Sequence, residues 1–378
     1  MKKINLILLY IITGLFVGCG GSDDPPMETP DDTIDDVGTV DDDMGVEEFD
    51  LPMLLADVTN SLILATITDF NDEASTFKNA VDTYLSEPNE VNFEALRAQW
   101  IVTTLAYEKT YVFHIGVARD RFLDRAIYNW PTVASAIEEF IANNEVTEET
   151  IAPLSPQIKA LAGIEYLLFK GDVASTNQEF LDDEKRREYL RLSIDFLVFQ
   201  ADRLLAIWSS EGEDYATTFI NSEDTGVRAS FNLFFNGLNN AVDVAKVTKI
   251  GKPGGLETSD IPNPDIVQAP FSNISLDLLS VSVEMVEAAF FADDITNVSD
   301  YIFFILQENS LNDDLQAKID EVQAAIDAIT ISLELAVTDN TAEVENLHTK
   351  LTELGILLTV DARSVLSIII TSTDNDGD

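Results

Sequence analysis

The sequence predicts an all-α protein built from two packed helical bundles of the up-down four-helix type. Three observations favour this class. Apolar residues recur at steps of three and four through most of the chain after Leu51, no sustained two-residue alternation predicts a strand, and turn sequences separate the helical stretches. The chain is long enough for two domains, so we predict bundles at residues 51–180 and 181–373.

The first residues have the pattern of a lipoprotein signal peptide. Two lysines follow the initial methionine, an apolar run from Leu6 to Val17 comes next, and the small residue Gly18 precedes Cys19. The run is shorter than the roughly 20 residues of a membrane-spanning helix. We therefore expect residues 1–18 to be removed and Cys19 to carry a lipid anchor in the membrane. Since Cys19 is the one cysteine of the chain and we expect it to carry lipid, we expect no internal disulfide and no cysteine-based metal site or nucleophile.

Residues 19–50 are predicted to be a disordered acidic tether that begins with the lipidated cysteine. Aspartate, proline and glycine are frequent in this stretch, and it contains no lysine or arginine. Such a segment repels itself and has too little apolar surface to fold. Ser22, Asp23 and Asp24 resemble the export tag of surface lipoproteins in the Bacteroidetes group. We expect anchoring in the outer membrane, with the protein facing either the cell surface or the periplasm.

The charge balance limits the classes of partner. The chain has 68 acidic and 22 basic residues, which gives a formal net charge of -46. This charge repels nucleic acids and anionic lipids, so we predict no nucleic acid partner. Such a surface attracts cations, although solubility in a salty medium explains the same composition without any ligand.

Apolar stripes mark the successive helices after the tether. They run through residues 55–65, 101–115, 190–208, 231–245, 276–290, 315–333 and 344–358. The last two alternate steps of three and four strictly, which favours left-handed bundle packing. Turn residues near Pro88, Pro131, Pro153 and Gly171 divide the first half into about four helices. The longest interruption, 251–270, is either a domain linker or a crossover loop, and we favour the loop.

Several sequence blocks resemble the imelysin family. Trp100, the Trp130-Pro131 pair and the segment ALAGIEYLLF at 160–169 are similar to the N-terminal half of imelysin-like proteins. The hallmark of that half is GxHxxE followed by an apolar Tyr-Leu-Leu run. KIGKP at 249–253 and FSNISLD at 271–277 resemble the second conserved block of the family. The resemblance extends from about Leu51 to the C-terminal region and implies the imelysin fold.

The hallmark motif is degenerate in this chain. Glu165 matches its glutamate, but Ala160 and Ala162 occupy the positions of its glycine and its histidine. Residues three apart share a helix face, so a histidine at 162 would form with Glu165 the kind of pair that metal sites in bundles use. Alanine offers no ligand. The resemblance therefore implies the fold, whereas metal activity that depends on this histidine is not expected.

Two carboxylates fall within apolar helix faces, Glu165 and Glu108. A buried carboxylate must be paired, hydrogen-bonded or protonated. Arg119, Arg121 and Arg125 are the candidate counter-charges. The carboxylates either bind a ligand or belong to buried ion pairs that hold the helices in register, and the sequence leaves both interpretations open.

Other polar residues are weaker candidates. His114 lies on an aromatic face and is either a substitute for the missing motif histidine or, as we favour, a packed histidine. Ser272, Ser275 and Asp277 either contact a ligand at the mouth between the bundles or mark a helix start. His348 is predicted to face solvent. With two histidines and no HExxH motif, the known zinc-peptidase pattern is absent.

The function expected from the sequence is binding. The resemblance links the chain to iron acquisition, and the leading hypothesis is a non-enzymatic cell-envelope protein whose ligand is iron, another divalent cation, a small molecule or an envelope protein. A peptidase is the competing hypothesis because the family is commonly classed among peptidases. A surface lipoprotein that binds carbohydrate or protein is the third. No catalytic residue is assigned, and residues 374–378 match only the start of a calcium loop, so we expect a polar tail there.

Overall fold

The computed structural model describes residues 48–257 and 261–371. The predicted signal peptide, Cys19, nearly all of the tether and the tail at 374–378 lie outside these ranges. All regular structure within them is helical, which confirms the all-α class.

Eleven helices lie between Leu51 and Trp208. In chain order they are α1 (Leu51–Val58), α2 (Leu64–Ser86), α3 (Glu90–Tyr111), α4 (Gly116–Asp120), α5 (Leu123–Ile127), α6 (Ala134–Asn143), α7 (Glu148–Ile151), α8 (Pro156–Lys159), α9 (Leu161–Phe169), α10 (Val173–Asp182) and α11 (Glu184–Trp208). A π-helical turn, Thr59–Ile63, joins α1 to α2 without a break.

The remaining helices follow after Trp208. They are α12 (Tyr215–Ile220), α13 (Ser230–Val244), α14 (Lys252–Gly254), α15 (Ser275–Phe291), α16 (Val298–Leu306), α17 (Ser310–Asp327), α18 (Leu333–Asp339), α19 (Thr341–Ile356) and α20 (Arg363–Leu366). Further π-helical turns span Ala245–Gly251 and Leu357–Ala362, and short 3-10 turns span Gly226–Arg228 and Pro264–Ile266.

Side-chain caps fix the starts of several helices. Asn89 accepts a hydrogen bond from the Asn92 backbone N–H at the start of α3. Asp183 accepts from the backbone N–H groups of Lys185 and Arg186 at the start of α11. These bonds satisfy donors that have no partner inside the helix.

The long helices pack in two groups. In the first, α2 packs along both α3 and α11, and α9 and α10 contact α3. In the second, α13, α15, α17 and α19 pack on one another, and α15 also contacts α3. From Glu48 onward the chain forms one compact unit. The predicted division at 180/181 stays a prediction, and α11, which begins just after it, belongs by packing to the first group.

The apolar stripes predict the C-terminal helices better than α3. Leu315, Ile319, Val322 and Ile326 of α17 are all buried, as expected, and the stripe of α19 is buried as well. Leu333 belongs to the next helix, because α17 ends at Asp327.

The buried face of α3 differs from the predicted stripe. It runs through Phe93, Leu96, Trp100 and Tyr107, whereas Ile101 and Leu105 are partly exposed. Val112 and Ile115 are buried but lie past the end of the helix at Tyr111. Large aromatic side chains, which bury more area than isoleucine or leucine, set the orientation of this helix.

The described chain begins against α16, which contacts α15 and α17 of the second group. The ring of Phe49 stacks on Tyr301 of α16 with 4.4 Å between centroids. Further along, Asp57 accepts a hydrogen bond of 2.8 Å from the Thr296 backbone N–H. The continuous helix Leu51–Ser86 is long and apolar enough to cross a membrane, but its α2 part packs along α3 and α11 as a core helix of the fold.

Candidate functional site

A short irregular segment, Gln268–Asn273, lies between the two buried carboxylates and contacts both. We call it the strap. It follows the 3-10 turn Pro264–Ile266 and precedes α15. Ala269 and Asn273 have φ angles of 53° and 62°, in the left-handed region that residues other than glycine rarely adopt. Such conformations persist where the surroundings hold them, and here the Ser275 hydroxyl donates to the Gln268 carbonyl.

Glu108 of α3 is 1% exposed and belongs to a complete ion-pair network. Lys249, itself 3% exposed, donates a short hydrogen bond to Glu108 Oε1. The Ser282 hydroxyl donates to the same oxygen at 2.5 Å, and the Gln268 amide of the strap donates to Oε2 at 3.2 Å. The negative charge is therefore compensated by a cation and both oxygens are hydrogen-bonded.

Lys249 comes from the π-helical turn Ala245–Gly251 that continues α13. The extra residue of such a turn changes the direction of the side chains that follow it, and π turns are frequent at functional sites. The Lys249 ammonium also lies 3.2 Å from the Ser282 hydroxyl of α15. The pair thus ties α3 of the first group to α13 and α15 of the second.

Glu165 of α9 is held in place by the start of its helix. Tyr189 donates to the Ile158 carbonyl at 2.6 Å, and the Trp100 indole donates to the Leu161 carbonyl at 3.2 Å. Gly163 lies so close to α8 that an added Cβ would be 2.2 Å from the Ile158 carbonyl oxygen. A glycine is therefore required here, and the close approach fixes α9 and with it Glu165.

The Glu165 carboxylate is 1% exposed and has only neutral hydrogen-bond donors among the described residues. Its Oε1 accepts from the backbone N–H groups of Phe271 and Ser272 at 2.9 and 2.8 Å, and from the Ser272 hydroxyl at 2.8 Å. Burial raises the pKa of Glu165 to about 7; the hydrogen bonds from Ser272 and Phe271 oppose this shift, and the charge of Glu334 adds to it. The carboxylate is thus poised between its two protonation states near neutral pH.

Further buried oxygens lie near the carboxylates. Oε2 of Glu334 has no hydrogen-bond partner within the described ranges, whereas the Tyr128 hydroxyl and the Gln268 side chain are close enough to interact with each other. Burial holds the pKa of Tyr128 well above its ordinary value, the charges of Glu165 and Glu108 raise it further, and a hydrogen bond with Gln268 opposes the shift, so the phenol lies near both carboxylates. Buried oxygens without partners are rare in native proteins and indicate a place for a ligand, ion or water.

The structure brings some of the predicted residues together. Ser272 contacts Glu165 directly, and Ser275 and Glu108 are linked through Gln268. Asp277 is exposed in the first turn of α15, and the residue before that helix, Ile274, provides no side-chain cap.

His114 is nearly buried just past the end of α3. Over residues 48–257 and 261–371, no three histidine, cysteine, aspartate or glutamate side chains are grouped so that they could hold a metal ion.

The predicted arginine counter-charges are corrected by the structure. Arg121 is exposed and pairs with Glu213 at 2.5 and 2.7 Å, and Arg125 lies over the exposed ring of Phe122. Lys249, which is 141 positions from Glu108, supplies the buried cation instead. Arg121 and Arg125 occupy exposed positions of this segment, so nearness in the sequence does not bring them to the buried carboxylates.

His348 is also placed differently from the prediction. It is half-buried rather than solvent-facing, and its Nε2 lies 2.8 Å from Glu257 Oε1. Glu257 follows α14 and reaches α19 from the long interruption in the sequence. A contact across 91 positions has no signal in the local helical pattern.

Comparisons with known proteins agree with this architecture. A family model described as Imelysin matches residues 63–358. An iron-regulated protein A from Synechococcus elongatus is 26% identical over 194 residues, which cover 50% of each chain, so the chain spans about half the length of this curated relative.

Two solved structures are similar in fold. An imelysin-like protein from Psychrobacter arcticum superposes with a TM-score of 0.69 and 17% identity, over 85% of this chain and 96% of that one. A protein from Parabacteroides distasonis, described as an iron-regulated protein A precursor, gives a TM-score of 0.70 and 21% identity over 85% and 97%.

Proposed function

Because the chain belongs to the imelysin family, we propose that it is a non-enzymatic binding protein of the bacterial cell envelope that serves iron acquisition. The description of the Synechococcus relative as iron-regulated supports the link to iron. The observation that carries the proposal is the buried Glu165 carboxylate, which has neutral hydrogen-bond donors but no cationic partner among the described residues. A carboxylate kept in this state is suited to accept a cation.

The donor set around Glu165 indicates the class of cation. The oxygen atoms near this carboxylate belong to Glu334, Tyr128 and Gln268, and alanine replaces the motif histidine at 162. Oxygen ligands favour hard cations, whereas imidazole and thiolate favour the softer transition metals. Iron would therefore be a cargo that this protein binds weakly through oxygen atoms.

Cation titration tests this proposal. The soluble protein beginning after Cys19 is titrated with Fe²⁺ under anaerobic conditions and, separately, with Ca²⁺, in high salt so that screened surface charges do not contribute. We expect weak saturable binding that Glu165→Gln abolishes. The matched control is Asp277→Asn, an exposed aspartate of the same charge, which should bind as the native chain does. Equal binding by both variants would refute Glu165 as the site.

The alternative functions give different outcomes in parallel assays. A peptidase cleaves casein, and chelator stops the cleavage if a metal is required. A protein that binds carbohydrate or another protein leaves casein intact and Fe²⁺ unbound. Cleavage that survives in Glu165→Gln would place peptidase activity outside the site described here.

The envelope location rests on Cys19 and is tested separately. Cys19→Ser should abolish palmitate labelling and leave the protein soluble or unprocessed. Deletion of Ser22–Asp24 should change a surface-accessible protein into one protected from external protease. Labelling that persists in Cys19→Ser would exclude this residue as the anchor.

A further inference from the structure

The last described residues, 368–371, lie beside α13 and are bound to it mainly through their backbone. The Asn232 amide donates to the Ile369 carbonyl at 3.1 Å, and the Ile369 N–H donates to Asn232 Oδ1 at 2.7 Å. One turn further along α13, the Asn236 amide donates to the same carbonyl at 3.0 Å, and its Oδ1 accepts from the Thr371 N–H at 2.9 Å. The Thr371 hydroxyl adds a weaker bond to Asn236 Oδ1 at 3.2 Å. Because main-chain groups form nearly all of these bonds, the contact depends little on which side chains the bound segment carries.

The spacing of these bonds follows from the geometry of helices and extended chains. Four residues of an α-helix rise about 6 Å, and two residues of an extended chain span about 6.6 Å. Side chains one turn apart on α13 therefore meet every second residue of a segment that runs in the same direction, as the bonds to Ile369 and Thr371 show. The next residue after Asn236 on this face of α13 is Asn239. The three asparagines form a row that continues past the end of the described segment.

Asn239 lines a cavity of about 370 Å³ between α13 and α19, and Thr371 forms part of the same wall. Val242 of α13 and Gly355 of α19 line it further along. Asn239 is 4% exposed, and its side chain makes no hydrogen bond to any residue of the described ranges. A buried amide without a partner is costly and rare in native proteins. The third asparagine of the row therefore lies in a groove with the same donor and acceptor that Asn236 uses.

We propose that this row binds extended polypeptide backbone, and that Asn239 binds the backbone of Ser372 and Thr373, which follow in this chain. In this arrangement its amide donates to the Thr371 carbonyl and its Oδ1 accepts from the Thr373 N–H, as Asn236 does one turn earlier. Ser372 and Thr373 lie outside the described ranges. Their attachment to Thr371, at the wall of the groove, gives them a high effective concentration there.

Other occupants fit the groove less well. An apolar molecule would leave the buried Asn239 amide without a partner. A metal ion needs several oxygen ligands, and Asp243, the one carboxylate among the described residues that line the cavity, lies 3.6 Å from the Lys246 ammonium. A strand of another polypeptide offers the same backbone groups but must compete with the residues attached to Thr371. The docking is independent of cation binding at Glu165.

A double-mutant cycle on the full chain tests the proposed bond. Asn239→Ala and Thr373→Pro, which lacks the N–H, should each raise the unfolding equilibrium constant in urea about fivefold. The two changes together should have no larger effect than either alone, because both remove the same contact. Fully additive effects, or an Asn239→Ala variant as stable as the native chain, would overturn the proposal.

Two matched controls separate this contact from general effects of the substitutions. Asn240→Ala changes the neighbouring asparagine, which does not line the cavity and whose buried Oδ1 has no partner within the described ranges, so stability should not fall. Asn375→Pro places proline two residues beyond Thr373 and should also leave stability unchanged. A loss in either control as large as in Asn239→Ala would show that the effect is not specific to the row.

Disulfide cross-linking locates the bound segment in the protein that begins after Cys19, which contains no other cysteine. Gly355→Cys places a thiol in the cavity, since the atom nearest to an added Cβ there belongs to Val242 at 4.0 Å. Side chains alternate along an extended chain, so Ser372 lies on the side of Ile370, which lines the cavity. With Ser372→Cys as the second thiol, we expect a cross-link within one chain on mild oxidation.

The dependence of the cross-link on Asn239 decides between the occupants. Asn239→Ala should slow cross-linking of the Gly355→Cys/Ser372→Cys protein about fivefold, in line with the lost hydrogen bonds. The control pair Gly355→Cys/Asp378→Cys, with its second thiol at the end of the chain, should react at a rate that does not depend on Asn239. A rate unchanged by Asn239→Ala, or a product of twice the mass that joins two copies, would contradict docking of the segment within its own chain.

Discussion

Glu108 and Glu165 are equally buried, and one segment of chain contacts both, yet the charge of their partners differs. Gln268 of the strap donates to Glu108, and Phe271 and Ser272 of the same strap donate to Glu165. Glu108 also has a buried lysine, whereas Glu165 has neutral donors alone within the described ranges. The charge of the partner, and not the degree of burial, therefore distinguishes the roles of these two carboxylates.

The physical basis of this difference is the cost of an isolated charge. A buried ion pair is costly to form but much costlier to break, since the remaining charge has no partner. Neutral donors stabilise a carboxylate only partly, so the proton competes for it, and the pKa of Glu165 rises to about 7. Glu108 is therefore a structural anchor, while Glu165 is available to a proton or a cation. Four experiments would break or sharpen this contrast.

The largest effect is expected from Lys249→Met. Glu108 would then be left buried without its cation, and we expect the free energy of unfolding at pH 7 to fall by about 3–5 kcal/mol. Urea denaturation measures it. The double variant Glu108→Leu/Lys249→Met, which removes both charges, should recover most of the loss. A single-variant loss below about 1 kcal/mol would mean that the pair is not an anchor.

Glu165→Gln should have the opposite sign. The folded-state pKa of Glu165, about 7, lies above the ordinary value of 4.5, so the folded protein keeps a proton that the unfolded chain releases between these pH values. The stability that this bound proton gives the folded protein is therefore lost as pH rises from about 4.5 to 7. The glutamine variant should match the native chain near pH 4 and exceed its stability at pH 8 by up to about 3 kcal/mol. Urea denaturation at pH 8 measures this difference. If Glu165→Gln were less stable than the native chain, the conclusion that Glu165 has no cationic partner would be contradicted.

Ala162→His restores the family pattern and should give a smaller change. The imidazole would share a face of α9 with Glu165, and we expect iron or zinc affinity to rise about tenfold, or about 1.4 kcal/mol. Calorimetry on a folded variant checks this. The matched control is the double variant Ala162→His/Glu165→Gln, in which the gain should disappear. No gain in folded Ala162→His would end the interpretation of this position as a lost metal ligand.

Ser272→Ala should have the smallest effect. It removes one of three hydrogen bonds to the Glu165 carboxylate, so the pKa of Glu165 should rise further, by roughly half a unit, about 0.7 kcal/mol. The upper end of the pH range over which stability falls would move up accordingly. Ser282→Ala, which removes a hydroxyl from the lysine-paired Glu108, is the control and should leave that range unchanged. A shift of equal size in both variants would show that the two carboxylates are coupled.

The sequence predicted the helical fold well because its signal is local. Buried apolar residues at steps of three and four identify α17 and α19 directly. In α3 the prediction was wrong in phase, since Trp100 and Tyr107 rather than Ile101 and Leu105 turn toward the core. Periodicity locates a helix, but competition among large side chains decides which face is buried.

The sequence indicated part of the surroundings of Glu165. The buried position of this carboxylate follows from its apolar neighbours on α9, and Ser272, a candidate from the sequence, donates a hydrogen bond to it. The role of both residues in binding stays a prediction. The sequence did not identify the other residues near the two carboxylates, which are Lys249, Gln268 and Tyr128. They reach the carboxylates across more than a hundred positions or through irregular backbone, and neither helical spacing nor turn chemistry encodes such contacts. The same limit explains why Arg121 was a wrong partner.

The first contacts of the described chain have a mechanical consequence. Phe49 stacks on Tyr301 and Asp57 is bonded to Thr296, so the N-terminal end of the described chain is fastened to α16 and the turn before it. A pulling force applied through the preceding residues would load these contacts before it reached α2. Because α1 buries Leu54, Leu55 and Val58 and continues into α2 without a break, these contacts take up a load at this end before it passes along the helix into the core.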